Sequence, residues 1–74
     1  LYETILISIN DELVKLFLNN KINFNDISLY LLKIIKIKEF RKYIYKRPIN
    51  INEILKTMIF SKTLTNKHVR IKNA

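Results

Sequence analysis

The sequence predicts an all-α domain, a small bundle of three or four helices. The chain has 74 residues and no glycine, so it lacks the usual residue for tight hairpin turns. A single proline, Pro48, interrupts it. Over most of its length, apolar residues recur every three or four positions, which is the spacing of one helix face.

The first helix is expected to run from Tyr2 or Glu3 to Leu18. Its apolar stripe should face the core, with polar residues on the other side. Asn20 follows it, and asparagine ranks next to glycine for the left-handed turn that ends many helices. The predicted stripe comprises Ile5, Leu6, Ile7, Ile9, Leu13, Val14, Leu16, Phe17 and Leu18, and the polar side comprises Asp11, Glu12 and Lys15.

An extended, half-buried link should follow, because Ile22 and Phe24 alternate with polar residues. The second helix is expected over residues 27–37, with Asn25 or Asp26 as its N-cap. Its predicted buried face comprises Ile27, Leu31, Ile34 and Ile35, with Tyr30 beside it.

Residues 36–48 either extend the second helix or form a short helix of their own. Phe40, Tyr43 and Ile44 lie there at helical spacing. A residue that precedes proline disfavours the helical backbone, so the segment should stop at Arg47.

The third helix is expected over residues 51–64. Asn50 should cap it, and Glu53 three residues on completes a pattern like the capping box. We expect residues 1–66 to form the bundle and residues 67–74 to form a basic, frayed tail. The predicted buried face of this helix comprises Ile54, Leu55, Met58 and Ile59.

Few side chains suggest chemistry. Asp11 and Glu12 are adjacent, so on a helix they point about 100° apart and form no tight acid–base pair. Asp26 and Glu53 are typical carboxylates of a helix start. His68, the single histidine, lies in the basic tail with no carboxylate near it in the sequence. The chain also has no cysteine. We therefore predict no catalytic, cofactor-binding or metal-binding residue.

The net charge of +8 raises the question of an anionic partner. Isoleucine, lysine and asparagine make up 34 of the 74 residues, and their codons are AT-rich, so an AT-rich genome explains many of the lysines. The alternative is a free-standing basic module that binds nucleic acid or an acidic protein. A structural interaction domain without a ligand is a third interpretation. We favour a solvated helix face for the basic segment. That segment comprises Lys33, Lys36, Lys38, Arg41, Lys42, Lys46 and Arg47 around Phe40, Tyr43 and Tyr45.

No apolar run approaches the roughly 20 residues that a membrane-spanning helix needs. The first ten residues lack the basic start of a signal peptide. We expect no membrane partner, and a location in the bacterial cytoplasm, or in a plastid or apicoplast if the source is eukaryotic.

Residues 10–27 resemble the start of the C-terminal helical domain of the 1-deoxy-D-xylulose 5-phosphate reductoisomerase family. That family reads Asn-Glu, an apolar helix ending in Phe-Leu, Asn-Gly-Lys-Ile and then Phe-x-Asp-Ile. Asn20 stands in the place of the family's glycine, and Asp11 in that of its glutamate. The residues in register, without a gap, are Asn10, Val14, Phe17, Leu18, Asn19, Lys21, Ile22, Phe24, Asp26 and Ile27.

Residues 53–62 resemble the family's second signature, Asp-Ile-Leu-Glu-Ala-Asp-x-Trp-Ala-Arg. Phe60 replaces the tryptophan, which keeps a buried ring and loses an N–H donor. The link over residues 36–48 is longer than the family's. Asn10 is unfavourable inside a helix, so we expect it to bond a neighbouring backbone group or helix. The second block matches at Glu53, Ile54, Leu55, Phe60, Ser61 and Lys62.

The resemblance implies the C-terminal part of an enzyme that converts 1-deoxy-D-xylulose 5-phosphate to 2-C-methyl-D-erythritol 4-phosphate in non-mevalonate isoprenoid biosynthesis. In that family NADPH sits in an N-terminal Rossmann-like domain, and the substrate and a divalent metal, Mg or Mn, sit in the middle domain. The enzyme is expected to be a homodimer. This chain would bind none of these groups. It would brace the catalytic domain, with the other domains as its partners, and would be inactive alone.

Overall fold

The computed structural model describes residues 1–70 and contains, within them, four α-helices, one 3-10 turn and no strand. The predicted all-α class is therefore confirmed. Two long helices and one of intermediate length make up most of the fold, and the fourth is a single turn. The helices are α1 (Tyr2–Leu18), α2 (Phe24–Ile34), α3 (Arg41–Ile44) and α4 (Ile51–His68), with the 3-10 turn at Lys38–Phe40.

Helix α1 lies at the centre, with α2 packed on one side and α4 on the other. Its bounds match the prediction. Ile5, Ile9 and Leu13 are fully buried, and each such side chain contributes roughly 1.5–3 kcal/mol by leaving water. Ile7 and Leu18 were predicted for the core and are exposed, because they lie on the far side of the helix from these residues. The buried residues of α1 are Ile5, Ser8, Ile9, Glu12, Leu13 and Leu16, and the half-buried ones include Leu6, Val14 and Phe17.

The end of α1 confirms the left-handed turn predicted at Asn20, whose φ is 59°. The Asn20 amide donates to the Phe17 carbonyl at 3.0 Å, and the Lys21 amide donates to the Leu16 carbonyl at 2.8 Å. These two bonds, around Asn19 as C-cap, form the Schellman motif that satisfies the last carbonyls of a helix. The chain is thereby turned back so that α2 packs against α1.

The link between α1 and α2 is shorter than predicted, because α2 begins at Phe24 and not at Ile27. Its N-cap is Asn23, where we had expected Asn25 or Asp26. The Asp26 carboxylate is at the third position of the helix and accepts a hydrogen bond from the Asn23 backbone amide at 2.8 Å. Such a reciprocal contact fixes the first turn of a helix. Asn25 and Asp26, the two predicted caps, both lie inside the helix, so the predicted start is three residues too late.

The two apolar residues of this link have different surroundings. Ile22 is buried, whereas Phe24 is exposed, so the expected half-buried extended link is wrong at Phe24. The Phe24 ring nevertheless meets the Phe17 ring edge-on, with 5.6 Å between centroids. This aromatic contact ties the first turn of α2 to the last turn of α1.

Helix α2 ends at Ile34, short of the predicted Ile37. The predicted buried face is confirmed at the end of the helix, whereas its residues nearer the start are only half-buried. The two buried positions of this face are Ile34 and Ile35, the half-buried ones are Ile27, Tyr30 and Leu31, and the exposed leucines of α2 are Leu29 and Leu32.

Residues after α2 form a short helix of their own, which was one of the two predicted possibilities. Phe40 is fully buried, and its ring packs edge-on against Phe60 with 5.7 Å between centroids. Tyr43 reaches the same ring at 5.3 Å. Helix α3 ends at Ile44, before the predicted stop at Arg47. This short segment therefore serves to place aromatic rings between α1 and α4.

The start of α4 confirms the predicted cap. The Asn50 side-chain oxygen accepts from the Glu53 amide at 2.9 Å. The Glu53 carboxylate lies 3.6 Å from the Lys46 ammonium. This ion pair joins the first turn of α4 to the link that precedes it. α4 continues to His68, past the predicted end at Leu64.

The buried face of α4 differs from the prediction. Leu55 and Ile59 were expected in the core and are exposed, while Ile54 and Met58 are half-buried. Three of its four buried residues are small and hydroxylated, which allows a neighbouring backbone to approach closely. Each hydroxyl donates to the carbonyl four residues earlier, at 2.7–2.8 Å, so none needs water. The buried residues of α4 are Thr57, Ser61, Leu64 and Thr65.

The expected tail begins inside the fold. Lys67 and His68 belong to α4, and Val69 is buried. The Arg70 amide donates to the Tyr30 hydroxyl at 3.1 Å. The rest of the expected tail, residues 71–74, lies outside the described residues, and the domain boundary at residue 66 stays a prediction.

The packing of α4 gives a test at Ser61, which is fully buried. Ser61→Leu should lower the free energy of unfolding by about 1–3 kcal/mol, because the larger side chain overfills the contact. Urea unfolding measures this, with the exposed Thr63→Leu as control. An S61L variant as stable as the parent would show that α4 does not pack through this face.

The turn at Asn20 gives a second test. Asn20→Val should destabilise the chain by about 1–2 kcal/mol, because a β-branched residue is strained at positive φ. Asn20→Gly should be neutral or stabilising for the opposite reason. Thermal unfolding of both variants checks this, and equal melting temperatures for the two would contradict the left-handed turn.

Candidate functional site

The carboxylates among residues 1–70 are dispersed, and most of them have a structural neighbour of their own. Asp26 belongs to the N-cap of α2, Glu53 lies beside Lys46, and Asp11 is exposed on α1. Among residues 1–70, no three acidic or histidine side chains come close enough to hold a metal ion. The expectation that the chain holds no catalytic, cofactor or metal residue stays a prediction.

His68 is not isolated, contrary to our expectation. Its Nε2 lies 3.9 Å from the Glu39 carboxylate, so the end of α4 meets the 3-10 turn there. Both side chains are 40% exposed. An exposed pair of this kind contributes about 0–1 kcal/mol and only when the histidine is protonated. No local sequence pattern predicts this contact, since the two residues belong to separate elements.

Glu12 is the carboxylate that the sequence analysis misplaced. We expected it on the polar side of α1, yet it is only 8% exposed. Its Oε1 accepts from the Asn66 amide nitrogen at 2.9 Å, and that nitrogen also donates to the Lys62 carbonyl at 3.0 Å. This bond joins α1 to the last turns of α4. In the helical repeat of α1, Glu12 falls on the same side as the core residues Ile9 and Leu16. That position was the sequence signal that could have predicted its burial.

An open depression of about 480 Å³ lies beside the start of α4. Glu53 lines it, and its Oε1 is buried without a hydrogen bond from residues 1–70. The Lys46 ammonium, 3.6 Å away, supplies the compensating charge. This pairing explains Glu53 as a structural residue. The lining residues are Tyr43, Asn50, Asn52, Glu53, Lys56, Thr57 and Phe60.

The basic-aromatic segment presents fewer ring faces than its sequence suggests. Phe40 is fully buried and Tyr43 is half-buried, both against Phe60. The Lys42 ammonium lies 5.2 Å above the Tyr43 ring, a cation–π contact within the segment. Tyr45, at 93% exposure, is the one ring of the three that is free to stack on a partner. Two of the three rings thus serve the fold.

Asn10 does not make the bond that we expected. It is half-buried on α1, and none of the side-chain hydrogen bonds among residues 1–70 involves it. The prediction of a partner within the described bundle is therefore wrong.

The described residues expose many large apolar side chains. Three of them, Ile51, Leu55 and Ile59, lie one turn apart on α4, and we call these three residues the α4 stripe. Contiguous exposed apolar surface is typical of an interaction site. The other large apolar residues that are exposed are Tyr2, Ile7, Leu18, Phe24, Leu29, Leu32, Tyr45 and Ile49.

Comparison with known proteins then supplies a relative. Over 54 residues, 73% of this chain, the sequence is 61% identical to the 1-deoxy-D-xylulose 5-phosphate reductoisomerase of Pelagibacter ubique (strain HTCC1062). The predicted resemblance to that enzyme is confirmed. The match covers 14% of the reductoisomerase, so the chain spans a small part of the relative's length. No family model matches the chain, and no solved structure matches it.

No helix among the described residues 1–70 combines the length and the apolar character needed to cross a bilayer.

The bond between Glu12 and Asn66 gives a third test. A double-mutant cycle with Glu12→Ala and Asn66→Ala should yield a coupling of about 1 kcal/mol, because the bond has a charged acceptor but a solvent-exposed donor. Urea unfolding of the four proteins measures it. The exposed Asn52→Ala serves as control and should show no coupling to Glu12→Ala. Additive effects of Glu12→Ala and Asn66→Ala would contradict a stabilising bond between the two helices.

Proposed function

We propose that this chain is the C-terminal helical domain of a 1-deoxy-D-xylulose 5-phosphate reductoisomerase. The observation that carries the proposal is the 61% identity over 54 residues to the enzyme of Pelagibacter ubique. The small share of that enzyme that is matched, 14%, fits one domain of a larger protein. The two sequence blocks, over residues 10–27 and 53–62, support the same assignment because they occur in the family's order.

The activity proposed for the whole enzyme is the NADPH-dependent conversion of 1-deoxy-D-xylulose 5-phosphate to 2-C-methyl-D-erythritol 4-phosphate. NADPH would supply the hydride, and a divalent metal would bind with the substrate. Residues 1–70 offer no group of three or more His, Cys, Asp or Glu side chains for such a metal. We therefore assign both groups to other domains and no catalytic step to this chain.

The role proposed for this chain is to brace the catalytic domain. Its long helices pack tightly against one another through α1, which gives a rigid body. Its outer face on α4 is apolar, which suits a permanent contact with another domain. The partners would be the other domains of the enzyme, within a homodimer in the cytoplasm.

The alternative, a free-standing module that binds nucleic acid or an acidic protein, rests on the net charge of +8 and on the basic residues around Phe40, Tyr43 and Tyr45. The relative's name gives it no support. Phe40 and Tyr43, two of its three aromatic rings, pack into the fold. We therefore do not propose it.

A domain exchange tests the proposal. The Pelagibacter ubique enzyme, with its matching segment replaced by this chain, should keep turnover within about tenfold of the parent, because the bracing contacts are largely preserved. Loss of NADPH absorbance on addition of substrate measures the rate. The same enzyme without the segment should be inactive or unstable, and the isolated 74-residue chain should show no turnover.

Two results would contradict the proposal. One is an exchanged enzyme that is folded and inactive, since this would mean that the chain cannot take the place of its relative's segment. The other is full activity in the truncated enzyme, since a domain that can be removed at no cost is not a brace.

A further inference from the structure

The α4 stripe is an exposed apolar row that the packing of the described residues does not explain. Ile51, Leu55 and Ile59 are 65%, 48% and 67% exposed. They follow one another at four-residue intervals, so they form a continuous row along three turns of the helix. The half-buried Ile54 and Met58 join this row to the body of the fold.

Helix α4 has more apolar surface than this fold uses. Its buried residues are Thr57, Ser61, Leu64 and Thr65, of which Leu64 alone is apolar. The apolar arc is therefore rotated away from the core. Apolar side chains that stay in water add nothing to the stability of the fold. Covering them stabilises the assembly by about 25 cal/mol per Å² of apolar surface removed from water. The stripe thus lacks a role within residues 1–70.

The exposed apolar surface continues before the helix. Tyr45 and Ile49, in the link that leads into α4, are also largely exposed. Along the chain, the link and the α4 stripe therefore supply one run of large apolar side chains. On α2 the exposed large apolar residues are Phe24, Leu29 and Leu32. The Phe24 ring already packs against Phe17, so two leucines are left without a neighbour of this kind.

We propose that the α4 stripe is the face by which this chain docks onto the rest of the reductoisomerase. This inference rests on the function proposed above and specifies the contact surface. The occupant is a body of that same enzyme, because 86% of the relative's length lies outside the match. The size of that body is sufficient to cover a helix face.

The charges beside the stripe define the chemistry of the covering surface. Lys56 and Lys62 lie on α4 next to it, and the chain as a whole carries +8. A complementary surface has an apolar centre and an acidic rim, since charge complementarity fixes the register of such contacts. The occupant is therefore an apolar patch with aspartate or glutamate at its edge.

Cysteine accessibility in the exchanged enzyme tests this directly, because the chain has no cysteine of its own. Ile59→Cys places a thiol in the stripe, and Leu32→Cys places a matched thiol on α2, at 67% and 61% exposure of the original residues. Each thiol is labelled with a small maleimide in the native enzyme and in urea, and mass spectrometry reads the labelled peptide. Ile59→Cys should react at least tenfold more slowly than Leu32→Cys in the native enzyme, and equally fast in urea.

The outcomes separate the two proposals. Equal native rates in an active exchanged enzyme would overturn the docking face and leave the proposed function intact. Slow labelling of both thiols would also overturn it, because the cover would not be specific to α4. Protection that disappears on dilution to single subunits would assign the cover to a second copy and overturn it too. An inactive parent exchange would remove the function on which the inference rests.

A second variant guards against a local disturbance at residue 59. Leu55→Cys, one turn earlier in the stripe, should show the same protection as Ile59→Cys. Fast labelling at position 55 with slow labelling at position 59 would contradict a cover that spans the stripe.

Discussion

The fold depends on the close contact between α1 and α4. Ile9 and Leu13 of α1 lie fully buried at this centre, and α4 meets α1 with the small side chains of Ser61 and Thr65. The hydroxyls of these two residues are bonded to the carbonyls one turn earlier, at 2.7 Å and 2.8 Å. Since their polar atoms are satisfied within the helix, they can be buried at little cost and leave room for large neighbours. Because Ser61 and Thr65 lie on the buried side of α4, the α4 stripe is left on the outer side.

Local signals in the sequence were sufficient for the elements themselves. Asn20 predicted the left-handed end of α1 because asparagine tolerates positive φ, and Asn50 predicted the cap of α4. The predicted start of α2 is too late because Asn25 and Asp26 both resemble caps, whereas Asn23 is the cap and Asp26 binds its amide from the third helical position. Such errors of a few residues arise because several polar residues in a row can each begin a helix.

The sequence was a poorer guide to which side of α4 is buried. Apolar spacing pointed to Leu55 and Ile59, and the structure buries Thr57 and Ser61 in their place. Hydropathy patterns assign serine and threonine to the solvent-exposed face. A hydroxyl that is hydrogen-bonded within its own helix nevertheless packs as a small neutral group. The same limitation hid Glu12, whose burial depends on Asn66 from the far end of the chain. The core-facing position of Glu12 on α1 was a local signal for its burial, whereas its distant partner left no local pattern.

The apolar spacing of α4 becomes intelligible if the chain is part of a larger enzyme. An apolar pattern predicts which residues are buried in the complete protein, including those covered by other domains. This chain matches only 14% of its relative's length. Leu55 and Ile59 would then be buried only in the assembled enzyme, whereas Thr57 and Ser61 are already buried in the chain alone. One helix then has two buried sides, an inner one within the bundle and an outer one between domains.

The most direct measurement of this account is amide hydrogen exchange of α4, in the isolated chain and in the exchanged reductoisomerase. A helix with one side open to solvent should exchange faster than the same helix held between two bodies. We expect the amides of residues 51–62 to exchange at least tenfold more slowly in the enzyme than in the isolated chain. Equal exchange in both would contradict the claim that α4 is completed by the rest of the enzyme.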